Sequence, residues 1–329
     1  MRTVEEVKKT FDYLFSELSK VIVGQDEMLH QLITAMLADS HALLEGYPGL
    51  AKTLAVKTVS ELMDLKFSRI QNTPDLMPSD VTGTYIVEET SGGKRAFKFQ
   101  PGPVFANIVL ADEINRATPK TQSALLEAMQ ERQVTVGNTT YKLEEPFFVL
   151  ATQNPIEQEG TYPLPEAQAD RFLLKIKLDY PSFDEEMQIV ERFAEAKQKV
   201  ALKRIISKET LQYCQSLTRQ VPIAADIKKY AVELVTKTRK KPELIEFGAS
   251  PRASIGLVLA GKARALLAGR RFVSKDDINA LALPVLRHRI IPTFEAERQG
   301  MHEDDIIKQL LKCTIPTTTF ISRILAKCS

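Results

Sequence analysis

The stretch Gly46-Tyr47-Pro48-Gly49-Leu50-Ala51-Lys52-Thr53 decides how the rest of the chain is read. It follows a short apolar run, His41-Ala42-Leu43-Leu44-Glu45, and it opens Lys52 to Leu65, which returns to helical spacing. A glycine-containing loop between a buried strand and a helix aims several backbone N–H groups and the positive end of the helix dipole at one point, which suits a polyphosphate. In that setting Lys52 reaches the β and γ phosphates, and the Thr53 hydroxyl helps to hold Mg²⁺. The loop pattern expects glycine where Ala51 stands. A methyl group there disfavours positive φ, so the sequence predicts a right-handed or extended backbone at Ala51.

Working outward, similar apolar runs recur at Asn107 to Ala111, Phe147 to Ala151 and Phe172 to Leu178, each separated from the next by a helical or turn-rich segment. Strands alternating with helices predict a parallel sheet covered on both faces. Upstream, Phe11, Leu14, Phe15 and Leu18 make one apolar helical face, and after a break at Val23-Gly24 a second runs from Met28 to Leu37. Tyr180-Pro181-Ser182 ends the α/β pattern. Helical runs follow near 183–197, 208–218, 224–239, 251–268 and 275–288, with no strand expected. Ser250 is placed to cap the fourth, with Pro251 at its first position and Gly269 past its end. Ser274 and Asp277 resemble a capping box at the start of the fifth.

Four further segments carry chemistry. Asn107 to Ala111 ends in Asp112-Glu113, a strand end that a parallel sheet brings near the first loop. Asp112 can order Mg²⁺ through its water shell, and Glu113 can polarise an attacking water. Phe147 to Gln153 ends in Asn154-Pro155, where Asn154 can bridge a γ phosphate and the water. Arg171, after Asp170, reads either as a surface ion pair with Asp170 or Glu166 or as a cation supplied to a neighbouring subunit's γ phosphate. Arg252, in the first turn of a helix, opposes the dipole, which points to another use such as reaching the nucleotide.

Composition limits the alternatives. Lys plus Arg number 44 against 42 Asp plus Glu, so the near-balance gives no composition-level case for a nucleic-acid or membrane-surface partner. Three scattered cysteines make neither a disulfide framework nor a zinc site and fit a reducing compartment. No apolar stretch is long enough to span a bilayer, and the charged N-terminus does not read as a signal peptide. The expectation is a cytoplasmic protein.

In this order, the five segments resemble the AAA+ ATPases, and specifically the MoxR family. Its marks are Glu45 to Thr53 with alanine before the lysine, Ala111-Asp112-Glu113-Ile114-Asn115-Arg116-Ala117, Leu125 to Val134, and Gln153 to Gln168. The resemblance implies an α/β P-loop NTPase (AAA+) with a parallel sheet flanked by helices, over 1–182, a linker at 183–204 and a smaller all-helical lid domain over 205–329. It implies ATP and Mg²⁺ at interfaces of a ring, commonly hexameric. Gly46, Tyr47, Pro48, Gly49, Leu50, Ala51, Lys52 and Thr53 then form Walker A, Asp112 and Glu113 Walker B, and Asn154 sensor 1. Arg171 becomes the arginine finger, Arg252 sensor 2 on a side left open, and Val23 and Gly24 line the adenine pocket. It implies chaperone-like work on a protein client, often with a von Willebrand factor A domain partner. Two inserts, 83–102 with a turn at Ser91-Gly92-Gly93 and 133–143 with a turn at Gly137-Asn138, read as hairpins that the family places near the pore. A DNA-directed motor is the alternative, motivated by Arg239-Lys240-Lys241, Arg270-Arg271 and Arg287-His288-Arg289, and a slow nucleotide switch is a third reading.

Overall fold

The computed structural model describes residues 3–89, 95–155, 161–195 and 202–314. Two helices open it, α1 (Val4–Leu18) and α2 (Asp26–Leu37). Thr3 and Glu6 close a capping box at the start of α1, each side chain accepting the other residue's backbone N–H. The chain then runs through β1 (Ala42–Glu45), α3 (Lys52–Leu62), β2 (Phe67–Gln71) and the short α4 (Pro78–Thr82). A hairpin of β3 (Gly83–Glu89) and β4 (Arg95–Pro101) precedes β5 (Ile108–Asp112). A 3₁₀ turn at Ile114–Arg116 leads to α5 (Pro119–Glu131), a second hairpin of β6 (Gln133–Val136) and β7 (Thr139–Lys142), and β8 (Phe148–Gln153). The short α6 (Glu166–Ala169) and β9 (Leu174–Lys177) complete this part. Both expected hairpins are present. The turn at Ser91-Gly92-Gly93, Lys94 and the quoted residues 156–160 lie outside the described residues.

Five strands form one parallel sheet in the order β2-β5-β8-β1-β9. Alternate residues feed opposite faces, so both must be apolar. Leu44, Ile108, Leu110, Phe148, Leu150 and Ile176 join the larger core, which also holds α1, α2 and α3. Leu43, Ile70, Val109, Ala111, Val149 and Ala151 join the core beneath α5. The edge strand β2 escaped the sequence reading because Ser68, Arg69 and Gln71 interrupt its apolar pattern.

Beyond Tyr180, α7 (Phe183–Val190) continues into a π turn at Glu191–Glu195, and Arg192 ties this segment to the carbonyls of Ser19 (2.8 Å) and Lys20 (3.1 Å). The lid follows with α8 (Lys208–Gln220), α9 (Ala225–Thr238), β10 (Ile245–Phe247), α10 (Pro251–Leu267), α11 (Lys275–Leu286), β11 (Ile291–Pro292), α12 (Phe294–Arg298) and α13 (Glu303–Thr314). Among the described residues it is helical apart from one short antiparallel pair, β10 with β11, too brief to show strand periodicity in sequence. Ser250 caps α10 as expected, and Gly269 takes φ +73° just past its end. The Ser274–Asp277 box also forms. Helix α10 lies against the sheet domain. A Cβ on Gly256 would come within 3.1 Å of Leu173, the residue before β9. Among the described residues no helix is long and apolar enough to cross a membrane.

Candidate functional site

Strands β5, β8 and β1 are neighbours, so their carboxyl ends bring Asp112-Glu113, Asn154 and the Gly46–Thr53 loop to one edge of the sheet. The loop leaves β1 with the Gly46 N–H donating to the Gln153 carbonyl (3.2 Å). Gly46 is required by space, since a Cβ there would lie 2.7 Å from Leu178 Cβ. Ala51 overturns the expectation placed on it. Its φ of 53° and ψ of 21° are left-handed, immediately before α3. The cost is local, the methyl against its own backbone, about 1 kcal/mol relative to glycine and small enough for the loop to hold. Lys52 Nζ donates to the Gly46 carbonyl (2.6 Å), which folds the lysine back over its own loop. Burial pushes its ammonium below the ordinary lysine range, while the Asp112 and Glu113 carboxylates pull the other way.

Both acids are held from beneath by one hydroxyl. Thr152, fully buried in β8, donates from Oγ1 to Asp112 Oδ1 (2.7 Å) and accepts the Glu113 backbone N–H (2.8 Å). Glu113 itself is left-handed, at φ 55° and ψ 53°, a conformation that persists in a non-glycine residue only where the surroundings enforce it. Arg116 Nη1 donates to Glu113 Oε2 (2.9 Å), and Arg69 donates to Asp112 Oδ2. Among the described residues no cluster of three or more His, Cys, Asp or Glu could hold a metal alone. The donors present, Asp112 with Thr53, are hard oxygens of the sort that bind Mg²⁺ jointly with phosphates.

Beside the loop, Tyr47 stacks on Tyr180 with ring centroids 5.0 Å apart. Gly24, at φ +71°, abuts Glu185 of α7, where an added Cβ would fall 2.8 Å from Glu185 Cδ. Gln25 Nε2 reaches the Asp179 carbonyl at 3.5 Å. The α1–α2 connection carrying Val23 and Gly24 thus borders the segment after β9, whose Tyr180 flanks the phosphate-loop candidate.

Arg171 and Arg252 are elsewhere. Arg171 stands before β9, at the amino end of the sheet, so the four residues of that strand, about 13 Å at about 3.3 Å per residue, lie between it and the level of the loop. Its Nη1 donates to the Leu126 carbonyl (3.0 Å). No ion pair with Asp170 or Glu166 is found among the described residues, because Asp170 is committed to the lid. Asp170 accepts from Arg289 Nε at Oδ1 (2.7 Å) and from Ser250 Oγ at Oδ2 (2.9 Å), with Arg252 Nη1 3.7 Å from Oδ2. Arg171, Arg252, Asp170, Arg289 and His41 line one cavity of about 230 Å³. His41 accepts the Val149 N–H at Nδ1 (3.0 Å) and donates from Nε2 to the Met129 carbonyl (3.0 Å), and burial lowers its pKa to about 3. Of the basic clusters, Arg287 and Arg289 are spent internally, on Asp304 and Asp170, and are not presented to a polyanion.

Sequence reasoning missed Arg69, Arg116 and Thr152. Thr152 carried a signal, a single hydroxyl in an otherwise apolar strand run. Arg116 lay in a quoted motif without a role. Arg69 acquires its meaning only from the pairing of β2 with β5.

The family model described as "ATPase family associated with various cellular activities (AAA)" matches residues 41–174, and an AAA lid domain model matches 237–310. Chaperone MoxR1 of Mycobacterium tuberculosis is 43% identical over 92% of this chain and 81% of its own length. Protein YeaC of Bacillus subtilis is 46% identical over 89% of this chain and 91% of its own. The crystal structure of a candidate ATPase from Cytophaga hutchinsonii superposes with a TM-score of 0.87 at 44% identity, covering 94% of this chain and 95% of that one.

Proposed function

The chain belongs to the MoxR family of AAA ATPases, and from that premise we propose that it binds ATP with Mg²⁺ at the loop between β1 and α3 and hydrolyses it at subunit interfaces to remodel or mature a protein partner. Backbone N–H groups of Gly46 to Thr53 take the phosphates, and Lys52 leaves the Gly46 carbonyl for the β and γ oxygens. Magnesium, when bound, neutralises charge on those oxygens, with Thr53 and Asp112 as its protein contacts. Glu113, aimed by its left-handed backbone, orients the water for in-line attack, and Asn154 holds it near the γ phosphate. Val23, Gly24 and the Tyr47–Tyr180 shelf receive the adenine.

One observation carries the interface: Arg171 and Arg252 share a cavity at the end of the sheet opposite the loop. That position away from the loop of their own subunit supports the reading that both serve a neighbour's. A head-to-tail contact of this kind closes into a ring, for which we propose six subunits. Sensor 2 then acts in trans with the arginine finger, stabilising charge that develops on the γ phosphate. The name of the M. tuberculosis relative supports chaperone-like work, and a von Willebrand factor A domain protein is the partner the family resemblance implies.

The test is ATPase rate per subunit against protein concentration, for wild type and Arg171→Ala, with solution mass at each point. A rate that rises as rings form, and an Arg171→Ala protein that assembles but turns over about 10³-fold more slowly, supports the shared site. A rate independent of concentration and of Arg171 overturns it.

A further inference from the structure

Asp112 already has a cation. Arg69 is the central residue of the edge strand β2, whose register sets it opposite Leu110 and sets Gln71 opposite Asp112. From there its guanidinium forks onto one carboxylate oxygen, Nε at 3.2 Å and Nη2 at 2.6 Å from Asp112 Oδ2, while Nη2 also reaches Gln71 Oε1 at 2.5 Å. The other oxygen, Oδ1, is taken by the buried Thr152 hydroxyl. The Asp112 side chain is 13% exposed and that of Arg69 46%. The acid is thus fixed and its arginine can swing into water.

We propose that Arg69 is a positioning residue that gates metal entry. It keeps Asp112 neutralised in the empty subunit, so that the site takes up a divalent cation together with a triphosphate and not before it. This rests on the reading of Asp112 as the metal-ordering acid. Mg²⁺ sheds its water reluctantly and is held by one or two carboxylates plus phosphates, so a single carboxylate already covered by a guanidinium attracts it poorly. The same pairing favours the triphosphate. With Arg69 and Arg116 on the two acids, Lys52 leaves the site net positive toward an arriving polyanion. Remove Arg69, and the two acids are balanced only by Lys52 and Arg116, which leaves the site more attractive to free metal and less attractive to phosphate. When the metal–nucleotide complex arrives, the exposed guanidinium gives up a partly solvated pair and can stay on Gln71.

The experiment uses Mn²⁺ as the probe, with bound ion followed by electron paramagnetic resonance on the full chain, without nucleotide and then with a non-hydrolysable ATP analogue. Arg69→Ala, with Arg69→Gln as a second variant against misfolding, is expected to tighten nucleotide-free Mn²⁺ binding about tenfold, the scale on which outer-shell partners tune metal sites. Arg69→Lys should restore weak binding, and adding Asp112→Asn to Arg69→Ala should abolish the gain. Unchanged nucleotide-free affinity in folded Arg69→Ala and Arg69→Gln overturns the gate, as does a gain that survives Asp112→Asn. The two readings separate with the analogue present. If Asp112→Asn alone takes up Mn²⁺ as well as wild type, the assignment of Asp112 has failed and the gate with it. If Asp112→Asn loses Mn²⁺ but Arg69 has no effect, the gate alone has failed.

Discussion

The two ends of the central sheet handle charge in opposite ways. At the carboxyl end, Lys52, Asp112 and Glu113 each meet one replaceable partner: the Gly46 carbonyl, Arg69 and Arg116. The two arginines are partly solvated, so those pairs can be traded for a ligand at small loss. At the amino end, the Arg289 side chain is 3% exposed and bonds to Asp170 Oδ1 and to the carbonyls of Asp170, Phe172 and Leu173. Trading partners there would strand a buried charge, which is far more costly. In the proposed cycle, one end exchanges its contacts while the other fixes the segment that carries Arg171.

The largest effect expected is at the exchangeable end. Glu113→Gln should lower turnover about 10³-fold while ATP stays bound, read by single-turnover kinetics with nucleotide retention. Turnover equal to wild type would remove Glu113 from the chemistry. Mixing sharpens the contrast between the ends. Lys52→Ala and Arg171→Ala, each inactive alone, should together recover roughly a quarter of wild-type rate, because about one head-to-tail interface in four then joins an intact loop to an intact arginine. No recovery would confine both residues to one subunit. At the fixed end, Asp170→Ala should cost about 3–5 kcal/mol in chemical denaturation by leaving Arg289 buried without its counter-charge. A loss under 1 kcal/mol would mean that this end is not rigidly paired.

Sequence and structure agree where the signal is local. The loop before α3, the strand ending in Asp112-Glu113, both hairpins and the cap of α10 were legible because turn residues and periodicity act over a few positions. What was not legible depends on pairings across the sheet. Arg69 looked like a solvated residue on an irregular segment until β2 was set beside β5, and Asp170 looked like the natural partner of Arg171 until the lid delivered Arg289 to it. Ala51 was misread for a different reason. The propensity against positive φ is a preference of about 1 kcal/mol and not a prohibition, and the loop holds Ala51 left-handed against it.

Smaller effects test the same contrast. His41 and His288 are held neutral at the amino end, both chiefly by burial. Below pH 6.5 the unfolded chain takes up protons that these rings refuse, so stability falls with pH, by about 1.4 kcal/mol per unit for each. For His41 that loss continues down to its folded pKa of about 3. Urea midpoints from pH 7 to 5 should show this slope, and His41→Gln should remove its own share of it. A slope unchanged by His41→Gln would assign the acid sensitivity elsewhere. Last, Ala51→Gly should relax the left-handed turn and stabilise the fold by up to about 1 kcal/mol, visible as a small rise in Tm. A fall in Tm would show that the flexibility gained by the unfolded chain outweighs the relief.

Arg289 belongs to the lid, yet three of its carbonyl partners and its carboxylate lie in the four residues leading into β9. That seam leaves little room for a hinge inside the chain. In the proposed nucleotide cycle, motion then emerges as a displacement of whole subunits against one another.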